Sequence, residues 1–144
     1  MPGAGIANKK HIPIQLLRFE RLMYGAVALS IGYDVLEPAC GQAFGLTYDT
    51  TDVIADVALI AAMALLTWLT VWRRKYWAGW ALVGLTCFSG GSLMLAAGLN
   101  PDGMMRLFQT CPGVSSVQVV IAVVEIVAFA LLFSQPSRDW LKRA

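Results

Sequence analysis

Charge is what this chain has least of. Only 14% of its 144 residues are Asp, Glu, Lys or Arg, against about 25% in an ordinary soluble domain. So few charges cannot cover the surface of a water-soluble fold. Histidine is nearly absent. His11 stands alone near the N-terminus, which disfavours haem ligation within the apolar segments and a histidine-based zinc site. The three cysteines, Cys40, Cys87 and Cys111, make no C-x-x-C pair, so a thiol–disulfide oxidoreductase is disfavoured. There is no phosphate-binding loop, no G-x-S-x-G and no dinucleotide fingerprint. Internal repeats and low-complexity runs are missing too. The chain therefore points to no enzyme and calls for no cofactor.

What is abundant is apolar sequence, at 58%. It gathers into four stretches, Phe19–Leu36, Val53–Trp72, Trp77–Gly98 and Val114–Ser134. Each is close to the ~20 residues a helix needs to cross a ~30 Å hydrocarbon core. The expected fold is all-α: one integral-membrane domain over 1–144, folded as a four-helix bundle. Residues 1–17 form an N-terminal interfacial segment, with Met1–Asn8 disordered, and 135–144 a basic tail. Glu37-Pro38 is expected to end the first helix, and Thr51 or Asp52 to cap the second. Asn100-Pro101-Asp102-Gly103 reads as a turn, and Pro136 stops or bends the fourth helix. The first stretch is too long for a signal-peptide core, and Asp34 and Glu37 interrupt any cleavage zone. Leu36-Glu-Pro-Ala-Cys40 is only faintly similar to a lipoprotein box, so helix 1 is expected to be retained.

The charges sort by side. Lys9, Lys10, Arg18, Arg21, Arg73, Arg74, Lys75, Arg138, Lys142 and Arg143 share one side with Glu20 and Asp139, a net +8. The other side holds Asp34, Glu37, Asp49, Asp52, Asp56 and Asp102 against Arg106 alone, a net −5. Short loops rich in Lys and Arg stay in the cytoplasm. Both termini and the Arg73–Lys75 turn are thus expected inside, and the stretches around Cys40–Thr51 and Asn100–Gly113 outside. The basic residues flank membrane segments, so they suit anionic lipid headgroups rather than nucleic acid. Trp72, Tyr76, Trp77, Trp80 and Trp140 fall at the basic boundary, where indole and phenol rings anchor at headgroup level.

Three constellations carry chemistry. Glu125 lies near the middle of the fourth stretch, where a charged acid costs on the order of 2.5–3.5 kcal/mol on the insertion scale. Gln118 and Ser115 precede it on roughly the same helix face. Two roles are open: a proton- or cation-binding carboxylate reached from outside, or a structural acid bonded to Thr67, Thr70, Thr86, Ser89 or Ser92. The second constellation is acidic. Asp34, Glu37, Asp52 and Asp56 lie near the outer ends of helices 1 and 2, at a density that attracts Ca²⁺, Mg²⁺ or another cation but without fixed ligand spacing. A solvated acidic face is the competing explanation. The third is Cys40 with Cys111, both expected outside, where a disulfide persists in an oxidising compartment. Cys87 is expected to be a buried packing residue. Gly25 and Gly32, and Gly84, Gly91 and Gly98, recur every seven residues and read as close-packing seams within the bundle or between subunits.

Arg18-Phe-Glu-Arg21, the basic turn followed by Trp77-Ala-Gly-Trp80, and Leu131-Leu-Phe-Ser134 followed by Pro136-Ser-Arg138-Asp-Trp140 resemble a widespread group of small bacterial four-helix membrane proteins. The resemblance covers most of the chain and implies a bacterial inner-membrane protein. It implies no activity and no site residues. The functional expectation is a non-enzymatic accessory or scaffolding subunit, partnered by the lipid bilayer and by other membrane subunits or its own copies. The alternative is a small homo-oligomeric proton- or cation-coupled transporter or channel. A third, weaker expectation is an immunity-type protein that shields the membrane.

Overall fold

A computed structural model describes residues 12–43 and 49–142. It is all-helical over these residues, with six helices: α1 (Ile14–Ala43), α2 (Thr50–Trp72), α3 (Tyr76–Leu99), α4 (Pro101–Thr110), α5 (Pro112–Leu132) and α6 (Gln135–Lys142). α2 and α5 are long and apolar enough to cross a membrane. Met1–Asn8 and Gly45 lie outside the described residues.

The helix boundaries follow local chemistry, and several differ from expectation. α1 does not stop at Pro38 but runs through it to Ala43. Pro38 removes only one backbone N–H from the helical ladder; α1 packs along α5, and beyond the proline Cys40 is held at disulfide distance from Cys111. The N-terminal interfacial segment is also helical from Ile14, and Ile12 and Leu16 are buried. Asp49, rather than Thr51 or Asp52, caps α2. Its carboxylate accepts from Thr50 N at 2.7 Å, while the Asp52 carboxylate accepts from Asp49 N at 3.2 Å. This reciprocal capping box takes Asp52 out of the acidic constellation. Asn100-Pro101-Asp102-Gly103 opens a helix instead of making a free turn. The Asn100 side chain accepts from Gly103 N at 3.0 Å and Pro101 occupies the first helical turn, the arrangement these residues favour at helix starts. The basic tail is helical over Gln135–Lys142, as α6. Pro136 sits in its first turn, and the hydroxyls of Ser134 and Ser137 both donate to the Leu131 carbonyl at the end of α5.

α1 packs most extensively against α5 and then against α2; α2 packs against α3, which touches α5 only slightly. The Arg73–Lys75 connection makes α2 and α3 neighbours, as its shortness requires, and Arg74 takes a left-handed φ of 53° there. The core lies towards the basic end. Leu16, Phe19, Met23, Val71, Leu82 and Leu132 are fully or almost fully buried, and Trp140 and Leu141 of α6 fold in beneath them. The hydroxyls of Thr67 and Thr70 donate to the Met63 and Leu66 carbonyls of their own helix at 2.8 and 2.7 Å, so they enter this core without an unmet donor. Towards the acidic end the helices separate.

Candidate functional site

The separation leaves a partly open cavity of about 480 Å³ between the four long helices. Each wall is one stripe of a helix. α1 contributes Ser30, Tyr33, Asp34 and Glu37; α2 contributes Asp56, Leu59, Ile60 and Met63. α5 contributes Gln118, Ile121, Ala122 and Glu125, and α3 contributes Thr86, Ser89 and Gly90. The spacing in the first three is i, i+3, i+4, i+7, the single face of a helix with 3.6 residues per turn. Two constellations that looked separate in the sequence thus share one space. Glu125 and Gln118 face Asp34, Glu37 and Asp56, while Asp52 is spent on its cap.

The electrostatics are one-sided. Among the described residues, four carboxylates line the cavity and no Lys, Arg or His does. Asp34 stands near enough to Asp56 and Glu37 to feel their charge. The Tyr33 hydroxyl donates to Glu37 Oε1 at 3.1 Å, one turn along α1. Glu125 is partly buried, on a helix wall otherwise rich in Val, Ile and Ala. Thr86 Oγ1, opposite on α3, is shut off from solvent and has no hydrogen-bond partner. Of the residues expected to bond Glu125 structurally, Thr67 and Thr70 have turned to their own backbone. Thr86 and Ser89 reach the same cavity, and the Ser92 side chain lies outside the described residues. Ser115 is buried, with its hydroxyl unpartnered, and does not line the cavity. Among the described residues, no three His, Cys, Asp or Glu side chains are gathered tightly enough to hold a metal ion.

The acidic end is tied by Cys40 and Cys111, which stand at disulfide distance with their Cα atoms 6.2 Å apart. They join the last turns of α1 to the cap of α5. Cys87, expected to be buried, is exposed, because α3 lies at the side of the bundle and packs mainly on α2. The glycine stripes also differ from a seam within one chain. A Cβ at Gly25, Gly32, Gly84 or Gly98 would meet nothing within 4 Å, and the surroundings of Gly91 lie outside the described residues. The close contact is made instead by Gly79, where a Cβ would sit 3.4 Å from Leu132 and 3.5 Å from Thr70.

The boundary aromatics divide. Tyr76, Trp77 and Trp80 are exposed, while Trp140 is buried under Arg74, whose guanidinium carbon lies 3.4 Å from the ring centroid. Trp72 is turned inward to Glu20. Sequence reasoning missed Ser30 and Tyr33 as cavity residues. The signal was present in their i, i+3, i+4, i+7 relation to Asp34 and Glu37. No protein-family model, curated protein or solved structure matches the chain, so the site rests on its own geometry.

Proposed function

We propose that this protein is a four-helix integral membrane protein of a bacterial inner membrane that takes a cation or proton from the outer side into the acidic cavity, with Glu125 as the deep binding carboxylate. The single observation that carries the reading is the convergence of Glu125, Asp34, Glu37 and Asp56 on one cavity, with no basic residue among its described lining. Carboxylates lining a low-dielectric cleft raise the local concentration of cations. Ionisable groups inside a membrane ordinarily mark an ion or proton path. The orientation follows from charge. The basic end, with Arg18, Arg73, Arg74 and Lys75, belongs in the cytoplasm, with both termini there. α1 and α3 join α2 and α5 as spans in this arrangement. The buried core lies between the cavity and the basic end, so transport in this arrangement requires a second state in which that core yields.

The test is cation and proton flux into proteoliposomes with purified wild type and Glu125→Gln. Loss of flux with expression and oligomeric state retained supports the carboxylate role; unchanged flux overturns it. The accessory-subunit reading is favoured by a different observation. Phe88, Val35 and Leu99 are 73–80% exposed, beside glycines that meet nothing. Such a face suits lipid or the helices of a partner. A stoichiometric foreign subunit retained through mild detergent extraction would favour this reading, and a pure homo-oligomer would favour transport.

A further inference from the structure

We propose that the cavity is built for a linear aliphatic polyamine, a ligand carrying two or more ammonium groups on a methylene chain, rather than for a bare metal ion. This rests on the cation-binding reading above and names its ligand class. Four observations lead there. The cavity, at about 480 Å³, has the size of a small-molecule site, and its acids are not gathered as metal ligands. The acids also stand at two depths. Cys40 and Cys111 set α1 and α5 level with each other. Asp34 is six residues from Cys40, and Glu125 fourteen from Cys111. At the helical rise these are roughly 9 and 21 Å along the bundle, a separation of about 12 Å.

Between these depths the wall mixes the apolar Leu59, Ile60, Ile121 and Ala122 with the polar Ser30 and Gln118. The apolar side chains suit a methylene chain, and the acids at the two levels suit ammonium groups at its ends. Four carboxylates in one cavity repel one another, and a ligand with a single charge offsets that less than one with two or three.

The test is isothermal titration calorimetry of the full chain in lipid nanodiscs at about 0.15 M salt, where exposed charges are screened over ~8 Å. The probes are spermidine, 1,4-diaminobutane, n-hexylamine and Mg²⁺. Spermidine is expected to bind at least tenfold more tightly than n-hexylamine or Mg²⁺. Asp34→Asn and Glu125→Gln should each remove most of that advantage, while Asp102→Asn, outside the cavity, should keep it. The wild-type series decides even if a variant fails to fold. Equal affinity for n-hexylamine, or displacement of spermidine by equimolar Mg²⁺, overturns the polyamine assignment and leaves a general cation site. Absence of heat with every probe, together with unchanged flux in Glu125→Gln, overturns both readings.

Discussion

The indole Nε1 of Trp72 donates a 2.7 Å hydrogen bond to Oε1 of Glu20, fifty-two residues earlier in the chain. It joins the end of α2 to the first turns of α1, next to the buried Phe19 and Val71. A hydrogen bond to a charged acceptor contributes about 1.5–3 kcal/mol. Trp72→Phe is expected to lower stability by an amount of that order, because it leaves a partly buried carboxylate without its donor. Glu20→Gln, which retains an acceptor, should cost less. Thermal unfolding in detergent compares the two; equal and negligible losses would show that the bond holds nothing together.

Gly79 and Gly84 should respond in opposite ways. Gly79 lies within contact distance of Leu132 and Thr70. Gly79→Leu is therefore expected to destabilise by about 1–3 kcal/mol through overpacking. Gly84 meets nothing, and Gly84→Ala should be neutral or gain up to about 1 kcal/mol from reduced backbone entropy. If Gly84→Leu leaves the monomer stable but abolishes an oligomer seen by native mass measurement, the open stripe is a contact between copies.

The Cys40–Cys111 pair predicts a labelling pattern. Denatured, non-reduced protein should react with a maleimide at Cys87 alone, and denatured, reduced protein at all three cysteines. Cys40→Ser with Cys111→Ser should lower stability by about 2–4 kcal/mol, the usual effect of removing a bond that closes a long segment. Three reactive thiols in protein taken from an oxidising compartment would show that the pair is not bonded.

Thr86→Val replaces a buried, unpartnered hydroxyl by a methyl group of similar size. The ligand-free protein is expected to gain on the order of 1 kcal/mol, since an unmet polar group is removed. Thermal unfolding of the two proteins in the same detergent checks this. A loss of stability would mean that the hydroxyl is already bonded within the fold.

Helix content was legible from the lengths of the apolar stretches and from the charges between them. The Arg73–Lys75 turn and the segment of α5 follow from local sequence, whereas Cys40 and Cys111 are candidates in sequence that the fold brings to disulfide distance. Local signals misled where one residue type serves two geometries. Asn100 and Pro101 suit a turn and a helix start equally, and only the Gly103 bond to Asn100 decides between them. Pro38 reads as a terminator because its missing hydrogen bond is visible in sequence, whereas the packing that carries α1 past it is not. Cys87 looked buried because its helix is apolar, but apolar composition does not tell a core-facing position from a side-facing one.

By itself the sequence determined helical segments, the division of charge between two ends, and the acid in the middle of an apolar helix. These depend on periodicity and on the cost of placing charge in an apolar medium, both of which a linear chain displays. Only the tertiary structure decided that Glu125, Asp34, Glu37 and Asp56 share one cavity, that Asp52 is spent on a helix cap, and that Gly79 rather than the glycine stripes makes the close contact. Such relations depend on which helix faces meet. That is set by side-chain packing across segments far apart in sequence, and no single segment encodes it.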